Sequence, residues 1–166
     1  MNNMSLAAGG TDPMAIVHLI PAGVMAGPVE VSIVVPALNE EISVGKFIEW
    51  CKEGLERAGV TGQILIIDSS TDKTPEIVLE HGGEVLRTPR RGLGRAYIDG
   101  LDYVRGKYVI MGDCDCTYDF REIGPLSSTS IRAQNLSWAR ASKVILKPGP
   151  CRRCIVTSAL LLQPGY

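Results

Sequence analysis

Long apolar runs and histidines are scarce in this sequence of 166 residues. No stretch approaches the roughly 20 consecutive apolar residues of a membrane-spanning helix, which predicts a soluble chain. The two histidines, His18 and His81, lie near the N-terminus and at a predicted helix end, so neither offers a base for a nucleophilic hydrolase triad. Five cysteines without the spacing of a secreted domain favour a reducing cytoplasm over a disulfide scaffold.

Acidic residues are missing from the end of the chain. All 18 lie within residues 1–122, the last being Glu122, whereas six of the 17 basic residues follow it. The formal net charge of the whole chain is only −1. A nearly neutral chain has no general attraction for polyanions, so we expect no nucleic-acid partner.

The first 28 residues are rich in Met, Gly, Ala and Pro. No Lys or Arg precedes their apolar stretch, and Pro21 interrupts it, which is unlike a secretory signal peptide. We therefore predict that residues 1–28 form a flexible leader, with a start codon assigned too far upstream as the alternative, and we assign no function to them.

From Val29 the pattern becomes regular. Four short β-branched runs predict strands at residues 31–35, 63–68, 84–88 and 107–112. Helical patterns separate these runs, so the chain alternates strand and helix. Such alternation with short links predicts right-handed crossovers and an α/β fold, in which helices cover both faces of a parallel sheet.

Three helices are predicted between these strands. Ser43 is expected to cap the first helix, whose apolar face repeats at helical spacing through residues Val44, Phe47, Ile48, Cys51 and Leu55. Thr74 is the expected N-cap of the second helix, with Pro75 at its first position. The third is expected to run from Leu93 to Val104, with Leu93, Tyr97, Leu101 and Val104 facing inward.

Polar loops follow all four predicted strands, at residues 37–41, 68–72, 89–94 and 113–116. The carboxyl ends of parallel strands meet at one edge of a sheet, where ligands bind in open α/β folds. The four loops therefore predict a single site.

Asp113 and Asp115 flank Cys114 at the end of the fourth strand. Two carboxylates at this spacing suit a hard cation such as Mg²⁺ or Mn²⁺, which prefers oxygen ligands and substrate phosphates. Ordinary turn residues are the alternative for so short a motif. A four-thiolate zinc site that joins Cys114 and Cys116 to Cys151 and Cys154 is disfavoured, because the first pair lies inside a carboxylate turn.

The other loops carry further candidates. Asp68 could accept hydrogen bonds from a base or a ribose, or it could form an Asx turn, and Asp72 is expected to be a cap. Arg90, Arg91 and Arg95 surround Gly92 and Gly94 at a helix start, which favours an anion, with surface solubility as the alternative. Asn39, Glu40 and Glu41 follow the first strand, where solvated loop charge is the alternative.

Four motifs occur in order: VSIVVPALNEE, IIDSSTDKTPEI, RRGLGRAYIDGL and YVIMGDCDCTYDF. Together they resemble family 2 glycosyltransferases of the GT-A fold, in particular the dolichyl- and polyprenyl-phosphate hexosyltransferases. The resemblance covers about residues 30–123. It implies a Rossmann-like sheet that is incomplete in its C-terminal half, with residues 29–123 as the nucleotide-sugar-binding half of the domain.

The resemblance also implies roles for individual residues. The loop that holds the donor nucleotide would contain Pro36, Ala37, Asn39 and Glu40. Asp68 would contact the base, although Ile67 stands where a second acid is usual. The segment near the donor phosphates would be Gly92, Leu93, Gly94 and Arg95. Asp113 and Asp115 would hold Mg²⁺ or Mn²⁺, with Cys114 and Cys116 in place of the usual small or aliphatic residues.

The implied activity is the transfer of a hexose from a donor of the GDP-mannose or UDP-glucose type to a polyprenyl or dolichyl phosphate at the membrane surface. Transfer would be inverting and metal-dependent, with Asp113, Asp115 and Arg95 as catalytic residues. Two alternatives stay open: a non-catalytic nucleotide- or metal-binding remnant, and a sugar nucleotidyltransferase. The second is disfavoured because ALNEE stands where a Gly-rich loop would follow the first strand.

Residues 124–166 show neither periodicity nor acidic residues. Choosing synonymous codons from Pro125 onward and reading two nucleotides later gives a string that contains EFVMGSRF, similar to the continuation expected in the family. We therefore interpret this segment as an irregular basic tail translated out of frame, and the chain as a fragment without the acceptor half.

Overall fold

The computed structural model describes residues 15–24, 27–117 and 119–123, together with the backbone of residues 143–146. Its strands are β1 Val17–Leu19, β2 Val29–Ala37, β3 Gly62–Asp68, β4 Glu84–Arg87, β5 Gly106–Met111 and β6 Lys143–Leu146. Its α-helices are α1 Val44–Ala58, α2 Thr74–Glu80 and α3 Leu93–Gly100. Short 3₁₀ turns lie at Leu101–Tyr103 and Phe120–Glu122.

The strands form one six-stranded sheet in the order β1-β4-β3-β2-β5-β6. The four inner strands are parallel, and β1 and β6 pair antiparallel at the two edges. The predicted parallel sheet is confirmed, because all four predicted strands lie in it. Their buried side chains are mostly apolar on both faces, as expected for strands covered on both sides.

Helices cover both faces of the sheet, as predicted. On one face α1 and α2 pack on Ile33, Val35 and Ile66, and on the other α3 packs on Val34 and Ile67. The predicted apolar face of α1 is confirmed, because all five of its residues are buried: Val44, Phe47, Ile48, Cys51 and Leu55. Among the described residues, no helix is long and apolar enough to cross a membrane.

Three details of the helices differ from the predictions. Ser43 stands before α1, but its hydroxyl donates to Glu40 Oε2 at 2.7 Å instead of capping a helical N–H group. Thr74 is the first residue of α2 and Lys73 occupies the N-cap position. Helix α3 ends at Gly100, and a 3₁₀ turn follows. Leu93 and Leu101 are 61% and 45% exposed, so the prediction that they face inward is wrong.

Part of the predicted flexible leader is structured. Residues Val17–Leu19 form β1, which pairs antiparallel with β4. The ring of His18 lies 3.0 Å from the buried carboxylate of Glu84. This contact and the backbone pairing explain why a segment with little sequence pattern forms a strand, and they correct the prediction for these residues.

The predicted irregular tail also contains a strand. Residues Lys143–Leu146 pair antiparallel with β5, from Tyr108 opposite Leu146 to Met111 opposite Lys143. Strand β5 would otherwise leave one row of backbone groups unpaired at the edge of the sheet, and β6 satisfies them. The prediction of an irregular tail is therefore corrected for these four residues. The out-of-frame interpretation concerns residues that otherwise lie outside the described part of the chain.

Candidate functional site

Four loops meet at the carboxyl edge of the parallel strands, as the sequence predicts. The first loop (residues 38–43) follows β2 and the second (69–73) follows β3. The third (88–92) leads from β4 into α3, and the fourth (112–117) follows β5. The strand order places the first loop beside both the second and the fourth.

Hydrogen bonds join the first loop to the second. The backbone N–H of Asn39 donates to Ser70 Oγ at 2.7 Å, and Thr71 N–H donates to Asn39 Oδ1 at 2.9 Å. The backbone N–H of Glu40 donates to Thr74 Oγ1 at 2.9 Å. Asn39 adopts a left-handed conformation with φ of 60°, which asparagine tolerates better than most residues. These bonds fix the loop predicted to hold a nucleotide.

The carboxylate of Asp72 in the second loop binds groups at the start of α2. Asp72 Oδ1 accepts hydrogen bonds from Thr74 N at 3.0 Å and Thr74 Oγ1 at 2.6 Å, which is an Asx-type turn, whereas Lys73 occupies the N-cap position where Asp72 was expected. Desolvation raises the pKa of Asp72, but hydrogen bonds from Thr74 and Glu41 outweigh it and lower the pKa overall. Asp72 therefore remains ionised at neutral pH.

Asp68, the last residue of β3, is fully buried. Its carboxylate forms an ion pair with Arg87 at the end of β4 and accepts a hydrogen bond from Ser70 N at 3.2 Å. Both oxygens therefore have a partner within the protein. Of the two sequence-based alternatives, the Asx-type contact with the second loop is present. The sequence analysis did not identify Arg87, whose pairing with Asp68 follows from the register of β3 and β4.

Asp113 and Asp115 are both exposed in the fourth loop, whereas Cys114 between them is 2% exposed. The Cys114 thiol contacts the carbonyl oxygen of Pro36 at 3.7 Å, and burial raises its pKa to about 12. The buried thiol thus anchors the loop while both carboxylates face solvent. Hydrogen bonds from Thr117 lower the pKa of Asp115, so this carboxylate is ionised at neutral pH.

A cavity of about 470 Å³ lies between the first and fourth loops. It is lined by Asn39, Glu40, Glu41, Ile42, Ser43, Asp72 and Asp115. Ile42 is 96% exposed, and nothing in the sequence analysis singled it out. Asn39 and Glu40 of the predicted nucleotide loop therefore lie at the same cavity as Asp115. Pro36 and Ala37 lie within β2, so their side chains belong to the sheet rather than to the cavity.

The donor set of the fourth loop fits a hard divalent cation. Asp113 and Asp115 offer carboxylate oxygens, the ligand type that Mg²⁺ and Mn²⁺ prefer. Within the described residues, no group of three or more His, Cys, Asp or Glu side chains could enclose a metal ion. Two carboxylates suffice for Mg²⁺ when substrate phosphates and water supply the other ligands.

The third loop and α3 hold a cluster of opposite charges. Asp99 Oδ2 lies 2.9 Å from Arg91 Nη2, and Asp99 Oδ1 lies 2.8 Å from Arg95 Nε. The sequence analysis selected both arginines but not Asp99, although its i, i+4 spacing from Arg95 is typical of a helical ion pair. Gly92, with φ of 89°, precedes α3, and no heavy atom lies within 4 Å of a Cβ built at Gly94. Leu93, between them, is exposed.

Tyr97 connects α3 to the fourth loop. Its hydroxyl donates to the carbonyl oxygen of Gly112 at 3.1 Å, and Gly112 directly precedes Asp113. Burial, assisted by the negative charge of Asp113, raises the pKa of Tyr97 to about 12. The element that carries Arg95 therefore also contacts the loop that carries the exposed carboxylates.

Comparison with known proteins agrees with this architecture. The chain is 42% identical over 113 residues to "Low-salt glycan biosynthesis hexosyltransferase Agl6" of Haloferax volcanii, a match that covers 68% of the chain and 27% of that protein. It is 33% identical over 112 residues to "Dolichyl-phosphate beta-glucosyltransferase ALG5D" of Trichomonas vaginalis, which covers 60% of the chain and 34% of that protein. The chain thus spans about a third or less of the length of these relatives.

This chain is also similar to a solved structure. The mannosyl-3-phosphoglycerate synthase from Rubrobacter xylanophilus is 34% identical and superposes with a TM-score of 0.50, over 56% of this chain and 33% of that one. Residues 32–134 match the family described as Glycosyl transferase family 2, and the match ends within the segment interpreted as out of frame. With well over half of its residues in this match, the chain belongs to glycosyl transferase family 2.

Proposed function

We propose that this chain carries the donor-binding half of a hexosyltransferase that uses a nucleotide sugar of the GDP-mannose or UDP-glucose type. The observation that carries the proposal is the joining of the first and fourth loops around one cavity, which is lined by Asp115 of a loop that also exposes the carboxylate of Asp113. Support comes from the relatives, since those reported above are named a hexosyltransferase, a glucosyltransferase and a mannosyl-3-phosphoglycerate synthase.

In this proposal, Asp113 and Asp115 hold Mg²⁺ or Mn²⁺. When bound, the ion would neutralise charge on the diphosphate leaving group of the donor. Asn39 and Glu40 form the wall of the donor cavity, and the hydrogen bonds to the second loop keep that wall in place before the donor binds. Preorganised contacts of this kind reduce the cost of ordering when a ligand binds.

Asp68, which is fully buried, would position Arg87 and the second loop at one end of the nucleotide site. Arg95 would add positive charge near the diphosphate, together with the backbone of Gly92, Leu93 and Gly94. Open space around Gly94 allows a phosphate to approach the backbone closely. Positive groups placed where negative charge develops on the leaving group are an effective form of catalysis.

The acceptor in the proposal is a lipid phosphate of the dolichyl or polyprenyl type at the membrane surface. Its phosphate is already anionic at neutral pH, so no strong general base is needed. A phosphate oxygen would form a bond to the anomeric carbon while the bond to the nucleoside diphosphate breaks. This single displacement would invert the anomeric configuration. The name of the Trichomonas relative supports this choice of acceptor.

The test is a transfer assay with radiolabelled GDP-mannose or UDP-glucose, polyprenyl phosphate and Mn²⁺. Because the chain carries only the donor-binding half, we expect the wild-type chain to form lipid-linked hexose slowly, but at least about 100-fold faster than the Asp113→Ala/Asp115→Ala variant. Metal-dependent nucleotide binding without product would favour a non-catalytic binding module instead. If the chain binds no nucleotide and forms no product, the proposed function is refuted.

A further inference from the structure

Asp99 is 7% exposed, and each of its two carboxylate oxygens contacts a different arginine. Arg91 reaches it from the third loop through Nη2, and Arg95 reaches it from the first turn of α3 through Nε. The arginine side chains are 32% and 51% exposed. One buried carboxylate therefore holds two partly exposed guanidinium groups side by side.

This arrangement leaves an excess of positive charge. Two guanidinium groups and one carboxylate sum to one net positive charge, and each guanidinium carries five N–H donors. Without the carboxylate, the two like charges would repel each other and their long side chains would separate. Because Asp99 is buried, its charge is costly unless both partners stay in place, so the geometry is held firmly.

The cluster lies where an anion could reach it. Arg91 and Arg95 flank Gly92 and Gly94, and no heavy atom lies within 4 Å of a Cβ built at either glycine. Tyr97 of the same helix contacts the loop of Asp113 through the carbonyl oxygen of Gly112. The two arginines therefore lie on and beside a helix that contacts the loop of Asp113 directly.

We propose that Asp99 is a positioning residue that holds Arg91 and Arg95 as a twin-arginine clamp for a diphosphate. The inference rests on the proposed function, since it takes the diphosphate of the donor as the ligand. Arginine suits this task because its planar fork binds phosphate oxygens through two parallel hydrogen bonds. The clamp binds through these donors alone, so it takes a diphosphate in the absence of metal.

The test is calorimetric titration with inorganic pyrophosphate in the presence of EDTA. We expect the wild-type chain to bind it and the Asp99→Asn variant to bind at least about tenfold more weakly, because the asparagine cannot orient both arginines. Glu84→Gln is the matched control. Glu84 is also a buried carboxylate with cationic partners, but as the first residue of β4 it lies at the amino ends of the parallel strands, away from the four loops. We expect its variant to retain wild-type affinity.

A second variant keeps the test decisive if Asp99→Asn does not fold. Arg95→Lys keeps the positive charge but removes the Nε donor that contacts Asp99. If orientation matters, this variant also loses about tenfold in pyrophosphate affinity. Wild-type affinity in Arg95→Lys would mean that charge alone binds the anion, and it would overturn the inference.

Nucleoside binding separates positioning from a general structural role. Titration with guanosine and uridine, which lack phosphates, should give the same affinity in wild type and Asp99→Asn. An equal loss for nucleoside and pyrophosphate, or no pyrophosphate binding by the wild-type chain, would contradict the clamp. If pyrophosphate binding depends on Asp99 but no nucleotide binds with Mn²⁺, the inference stands as an anion site and the proposed function fails.

Discussion

The carboxylate of Asp68 and the guanidinium of Arg87 form an ion pair between neighbouring strands, at positions whose Cα atoms are direct partners in the register of β3 and β4. The Asp68 side chain has no exposed surface, whereas that of Arg87 is 38% exposed. The pair therefore ties together the ends of two strands at the edge where the second and third loops begin. It also supplies the partner that a buried carboxylate requires.

Removal of Arg87 should show how strongly the stability of the fold depends on this ion pair. We expect Arg87→Met to lower the free energy of unfolding by about 3 kcal/mol, because it leaves a buried carboxylate without its cation. The control is Arg57→Met, which breaks an exposed i, i+4 pair with Glu53 and should cost less than about 1 kcal/mol. Urea unfolding measures both values. Equal losses of unfolding free energy in the two variants would show that the buried Asp68–Arg87 pair stabilises the fold no more than an exposed pair does.

Tyr97 should make the stability of the protein sensitive to alkaline pH. Its pKa is raised from 10.0 to about 12 by burial and by the charge of Asp113. Above its ordinary pKa the unfolded side chain releases its proton while the folded one retains it, so stability is full below about pH 10 and falls as the pH rises toward 12. We expect a shallower fall for Tyr97→Phe in urea unfolding followed from pH 9 to pH 11. An identical slope in the variant would contradict this assignment.

Gly54 should tolerate no side chain. A Cβ at this position of α1 would overlap the carbonyl oxygen of Phe120 and lie 3.1 Å from its carbonyl carbon. Alanine favours a helix over glycine by about 1 kcal/mol, but displacing a packed backbone costs more, so we expect Gly54→Ala to lower stability by about 2 kcal/mol. Gly94→Ala in α3 meets no atom within 4 Å and should raise stability by roughly 0.5 kcal/mol. Thermal unfolding of both variants distinguishes these signs.

The elements that sequence analysis predicted correctly are those with local signals. The β-branched runs at residues 31–35 and 63–68 lie in buried strands, and the apolar face of α1 needs only its own periodicity. The carboxyl edge of the sheet followed from topology alone, which placed Asn39 and Asp115 at one cavity although they lie far apart in sequence.

What the sequence could not give depends on contacts between distant residues. Strand β1 pairs with β4, and its His18 contacts Glu84 across 66 positions, a contact that no local sequence pattern indicates. Arg87 becomes the partner of Asp68 through the register of β3 and β4. Arg91 pairs with Asp99, which lies eight residues further along the chain in α3. The inward face predicted for α3 was wrong at Leu93 and Leu101, whereas Tyr97 and Val104 pack on the core as predicted. Leu101 lies outside the helix, because α3 ends at Gly100 and a 3₁₀ turn follows.

The out-of-frame interpretation of residues 124–166 has a direct test at the level of the gene. We expect resequencing across the codons for Ile123 to Leu126 to reveal an inserted or deleted nucleotide. Restoring the alternative frame should yield a segment with acidic residues and a predicted strand, EFVMGSRF. A clean open frame that encodes the printed tail would show this interpretation to be wrong.

The central claim is that the carboxyl edge of the sheet binds a nucleoside diphosphate together with a divalent cation. Calorimetric titration of GDP and of UDP in the presence of Mn²⁺ tests it most directly, with the wild-type chain beside the Asp113→Ala/Asp115→Ala variant. We predict that one of the two nucleotides binds to the wild-type chain, and that its affinity falls at least about tenfold in the variant and on removal of Mn²⁺. Absence of binding for both nucleotides, or equal affinity in the variant, would contradict the claim.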